Sequence, residues 1–138
     1  MALQVLNTTV IDDSRNGINI ASFKAASYQE TYSTVSSSSN ATTLDCSTSN
    51  MFSHTLTENT TFTFSNPPSS GTAFSFTLKL VQDASASGYT VTWPGAVNWA
   101  AGTAPTLTAT ASAVDVFVFV THDGGSNWYG FTAGQALA

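Results

Sequence analysis

Charge is what this sequence has least of. Asp, Glu, Lys and Arg make up 8% of its 138 residues, against about 25% in an average soluble protein. Arg15, Lys24 and Lys79 are the only Lys or Arg side chains, and the net charge is −5. So few cations cannot neutralise a row of phosphates or hold an anionic bilayer, so neither nucleic acid nor a membrane surface is expected as a partner. No apolar run approaches the 18 or so residues of a spanning helix. At the start of the chain Leu3, Val5 and Leu6 soon give way to Asn7, Thr8 and Asp12, so no secretory signal is expected. Cys46 is the sole cysteine, which excludes an internal disulfide and predicts a buried, inert thiol.

Polarity comes instead from Ser and Thr. Such a surface hydrates well but gives little repulsion between copies, so a permanent homo-oligomer is expected. After residue 50 helical periodicity is scarce, while short runs of period 2 recur between clusters of Gly, Pro, Asn and Ser. Phe74, Phe76, Leu78 and Leu80 alternate with Ser75, Thr77 and Lys79, which predicts a strand with one wet side. Thr60 to Phe64 reads as a second strand, joined to the first through Asn66-Pro67-Pro68-Ser69-Ser70-Gly71. Gly88 to Trp93 alternates again and stops at Pro94-Gly95.

From Val114 to Val120 both faces are apolar, four valines on one and Phe117 and Phe119 on the other, which predicts a central strand or a subunit interface. Val114, Val116, Phe117, Val118 and Phe119 are therefore candidate interface residues. Asp123-Gly124-Gly125 then supplies residues tolerant of positive φ ahead of Trp128 to Thr132, the chemistry of a tight or bulged hairpin. The first forty residues differ. Their apolar positions are sparse and Ser36-Ser37-Ser38-Ser39-Asn40 resembles a spacer, so residues 1–40 read as an arm with linker and 41–138 as the folded domain.

Signals of chemistry are weak. The two histidines, His54 and His122, accompany no nucleophile motif, and most carboxylates stand beside Ser, Thr, Asn or Gly, where turn and capping roles are common. One Cys and two distant His give no zinc spacing. Asp12-Asp13 with Asn16, or Asp123 with Asn127, offers oxygen ligands but matches no EF-hand loop. The reading is therefore a non-enzyme with no catalytic residue, metal or cofactor. Trp93, Trp99, Trp128 and Tyr129 are large rings near turns. They serve loop packing or, for Trp99, Trp128 and Tyr129, a surface that stacks on a sugar or a partner.

Two segments carry a family likeness. Val91-Thr92-Trp93-Pro94, Val97-Asn98-Trp99, Gly102-Thr103-Ala104-Pro105, Asp115-Val116-Phe117, Asp123-Gly124-Gly125 and Trp128-Tyr129-Gly130 resemble repeats in tail-fibre and related virion proteins of tailed bacteriophages. Val10-Ile11-Asp12-Asp13-Ser14-Arg15-Asn16 with Asn19-Ile20 is similar to an element of tail-fibre-like proteins of marine and cyanobacterial phages. The resemblance implies an all-β, β-sandwich (jelly-roll-like) module, commonly a homotrimer, attached through an N-terminal segment in which Val10, Ile11, Asp12, Arg15, Asn19 and Ile20 anchor. It implies a virion location after assembly in the host bacterial cytoplasm. A chain of this length suits a capsid decoration (cement) protein clasping the major capsid protein with its arm. The alternative is a small tail or head fibre with a tip for a host glycan.

Overall fold

The computed structural model describes residues 3–5, 8–11, 17 and 20–137. Among them there is no α-helix, only eleven strands and one short 3-10 turn at Ala100–Gly102. Strands β1 (Leu3–Val5) and β2 (Thr8–Ile11) form an antiparallel pair of their own. The remaining nine build two sheets facing each other, so the chain is an all-β sandwich.

The larger sheet contains β3 (Tyr32–Val35), β5 (Met51–Thr55), β7 (Phe74–Val81), β10 (Val114–Thr121), β11 (Trp128–Leu137) and β9 (Val97–Asn98), in that spatial order. The smaller holds β4 (Ala41–Asp45), β6 (Thr60–Ser65) and β8 (Val91–Thr92). From β3 to β8 the chain changes sheet at every strand, so β3, β5 and β7 stack in parallel, as do β4, β6 and β8. The chain thus winds through this half as coils, rather than folding back as hairpins. The stretch from Asn66 to Gly71 accordingly joins strands of opposite sheets, β6 and β7.

Beyond β8, β10 lies antiparallel between β7 and β11, and short β9 pairs with β11 in parallel. The hairpin around Asp123-Gly124-Gly125 is present, with Gly124 and Gly125 at φ of 72° and 80°. An L side chain rarely adopts that region.

The core forms where the sheets meet. Phe76, Leu78 and Leu80 of β7 and Phe117 and Phe119 of β10 face Leu44 and Phe62 of the smaller sheet, all buried. Phe64 joins the sheets edge-on, with ring centroids 5.0 Å from Phe76 and 5.3 Å from Trp128. Such edge-to-face pairs add roughly 0.5–1.5 kcal/mol beyond simple burial. His54 is buried in the same layer, its Nδ1 3.0 Å from the Val35 carbonyl oxygen and its ring edge-on to Phe62. Burial holds its pKa below the ordinary histidine value. Cys46 is buried and its thiol is pushed up to about 11, chiefly by burial and then by neighbouring Asp45.

The structure moves one boundary. Residues 32–35, expected in the arm, pair with β5 and so belong to the sandwich. The serine run after them is no loose spacer. It forms the corner between sheets, closed by reciprocal Ser38 and Ala41 backbone hydrogen bonds and by positive φ at Ser39 and Asn40. A low-complexity run of small polar residues suits a tight corner as well as a linker, and composition alone does not separate them.

Candidate functional site

A strand's side chains alternate between faces, and this parity sorts the candidate residues. On β10, Asp115, Phe117, Phe119 and Thr121 point inward and are buried, while Val114, Val116, Val118 and Val120 point outward and are half-buried. The five expected interface residues therefore divide. Phe117 and Phe119 are core and present nothing to another subunit, whereas the three valines lie on the outer face. On β11 the same rule separates Trp128, 2% exposed, from its neighbour Tyr129, 44% exposed. Trp128 is a core residue and offers no ring to a ligand.

The anchoring candidates lie at the opposite end of the chain. Val10 and Ile11 are on β2 and Ile20 is exposed, while Asp12, Arg15 and Asn19 are outside the described residues.

Tyr129 opens a groove. Strand β9 is two residues long and pairs with β11 only at Trp128 and Tyr129, so from Gly130 onward β11 has no strand on that side. The 3-10 turn stands off from this free edge. Between them lie two adjoining shallow depressions of about 310 and 360 Å³ that share Trp99, Ala100, Gly130 and Phe131. Asn98 and Tyr129 stand at one end, Thr103, Pro105 and Thr132 at the other.

Gly130 makes the floor possible. A Cβ there would lie 2.8–3.0 Å from three carbons of the Trp99 six-membered ring, so only glycine lets that ring lie against the strand. From there Trp99 reaches inward to Trp93 and Phe119, with ring centroids at 5.3 and 5.6 Å. Tyr129 stacks on exposed His122 at 6.2 Å. Asn98 directs its amide nitrogen toward the Ala96 and Trp128 carbonyl oxygens, both at 3.3 Å.

Sequence reasoning missed Phe131, 56% exposed, and Asn98. Phe131 was within reach of the strand reading, because parity puts it on the face of Tyr129. Asn98 carried no such signal, since its place depends on where β9 ends.

Asp123 and Asp115 act structurally. Asp123 Oδ1 accepts from the Asn127 backbone N–H at 3.0 Å and from the Thr121 hydroxyl at 3.0 Å, and Oδ2 accepts from the Asn127 side-chain amide at 2.8 Å. The two Asn127 bonds are the main reason its pKa falls to about 2. Both oxygens are thus occupied in closing the hairpin. Burial opposes ionisation of Asp115. Donation from the Thr108 N–H and hydroxyl, the Ala136 N–H and the Gln135 amide outweighs it and keeps the group below the ordinary carboxylate value. One buried carboxylate therefore ties the loop before β10 to the end of β11. Among the described residues no group of three or more His, Cys, Asp or Glu is placed to hold a metal ion.

A further depression of about 320 Å³ lies between Gly88–Val91 and Pro105–Leu107. Its one long amide, Gln82, is already bonded to the Thr108 carbonyl and the Asp83 N–H. The β11 groove is lined by the well-exposed Tyr129 and Phe131 and by Thr103 and Thr132.

Comparison with known proteins agrees on the kind of molecule. Neither the curated proteins nor the solved structures contain a match to the chain. A family model described as "Putative phage tail fibre C-terminal domain" matches residues 38–127, from the serine corner to the closing hairpin and across close to two thirds of the chain. The chain belongs to this phage tail fibre C-terminal domain family and is a structural component of the virion.

Proposed function

We propose that the chain is a tail-fibre domain that assembles as a homotrimer and presents the β11 groove to a glycan on the host surface. One observation carries this reading: the well-exposed residues Tyr129 and Phe131 line a shallow depression along the free edge of β11 together with Asn98 and Trp99, and it continues to Thr103 and Thr132. Aromatic faces stack on the C–H faces of a sugar ring, and amide and hydroxyl groups read its hydroxyls. An open groove binds weakly on its own, and several copies on one fibre multiply that affinity. The chemistry is binding without turnover.

Glycan-array screening followed by titration tests it. Tyr129→Ala and Phe131→Ala should each weaken binding at least tenfold while leaving the thermal midpoint within a few degrees of the parent. Unchanged affinity in both variants contradicts the groove. Trp128→Ala is unsuited to this test, because its ring is core.

A second reading is a capsid decoration protein that clasps the major capsid protein with its arm, using Val10, Ile11, Asp12, Arg15, Asn19 and Ile20. The unbroken exposure of residues 20–31 favours it. The family match weighs toward the fibre.

A further inference from the structure

Two apolar surfaces of this chain are left uncovered, and they suit each other. One is the outer face of the larger sheet around β10. Val118 is cross-strand partner to Phe131 on one side and to Thr77 on the other, and Val116 is partner to Lys79. The valines are half-buried and Phe131 is exposed. Lys79 thus sets an ammonium beside an apolar strip.

The other surface is the stretch leading to β3. Every residue from Ile20 to Tyr32 is exposed, including Phe23 at 74% and Tyr28 at 75%, and Glu30 lies among them. Rings this open to water, on chain outside the sheets, bury little in this molecule.

We propose that residues 28–31 of one copy lie across the outer face of β7 and β10 of a second copy, with Glu30 paired to Lys79. The spacing fits. Residues two apart in extended chain are separated by about 7 Å, and neighbouring strands by about 4.8 Å. With Glu30 at Lys79 on β7, Tyr28 therefore falls over Val116 and Val118 on β10. Both halves occur once per chain, so each copy gives an arm and receives one, a head-to-tail contact that closes into a ring when the rotation between copies closes. This inference rests on the reading of the chain as an assembled fibre domain.

Cross-linking tests it on the full chain. Cys46 is buried with a raised thiol pKa, so it can stay in place. A Tyr28→Cys variant and a Val118→Cys variant are mixed and mildly oxidised, with oligomeric state followed by native mass spectrometry. A disulfide joining one copy of each is the expected result. A ring of three without that disulfide overturns the arm contact while leaving assembly intact. A disulfide formed only within single copies of the double variant overturns the exchange, since the arm then covers its own sheet. A monomer at all concentrations overturns both. Independently, Lys79→Glu should raise the concentration for half-assembly at least tenfold, and adding Glu30→Lys should restore it. An unchanged thermal midpoint of the dissociated chain shows that the fold survives. Lys79→Glu without effect on assembly removes the ion pair.

Discussion

The two faces of the larger sheet are both apolar at β10, yet they differ in kind. Inside, Phe117 and Phe119 have no exposed surface and meet Phe64, Phe76, Trp93 and Trp99 ring against ring. Outside, four valines share their surface with Thr77, Lys79 and the exposed rings of Tyr129 and Phe131. One face holds the sandwich together. The other is half-buried and apolar, the surface on which the proposed contact with a second copy is built. Hydrophobicity alone does not distinguish these roles, whereas ring-to-ring contact with the second sheet does.

Substitutions on the two faces should separate sharply. Phe119→Ala empties the centre of the aromatic layer and should cost about 4 kcal/mol, read from denaturant unfolding. A loss below about 1 kcal/mol would mean that the inner layer is not close-packed. Asp115→Ala strands the donors of Thr108, Gln135 and Ala136 and should cost about 2–3 kcal/mol by the same measurement.

Acid should act through the same carboxylate and through Asp123. Both have folded pKa values below their unfolded ones, so the stability they contribute is fully present above the unfolded carboxylate value of about 4. It is lost as pH falls through the folded values, which for Asp123 means toward about 2. The thermal midpoint should therefore drop between about pH 4 and 2, and Asp115→Asn should flatten that drop. An equally steep acid loss in the variant would show that Asp115 does not contribute to it.

Gly130→Ala brings a Cβ onto the Trp99 ring and should cost about 2 kcal/mol, while altering the groove floor. At the small end, Val118→Thr on the outer face should change monomer stability by no more than about 0.5 kcal/mol. A large loss there would show that the outer face belongs to the core after all.

Much of this was legible from alternation alone. The β7 face of Phe76, Leu78 and Leu80, the β10–β11 hairpin and the all-β class follow from period-2 runs and from glycines that tolerate positive φ. Two things were not. Grouping Trp128 with Tyr129, or Phe117 with Val118, joined sequence neighbours that strand parity sends to opposite faces. The parallel winding of β3 to β8 was also hidden, because the Asn66–Gly71 stretch has the same Pro, Ser and Gly chemistry whether it closes a hairpin or carries the chain to the opposite sheet. The groove depended on a length that no local pattern encodes, the point after Asn98 where β9 stops.

The most direct test of the account is where the protein sits in the particle and in how many copies. Quantitative mass spectrometry of purified virions, with immunogold labelling, should find a few copies confined to the tail. Hundreds of copies spread over the capsid would contradict the fibre reading and establish the decorating one.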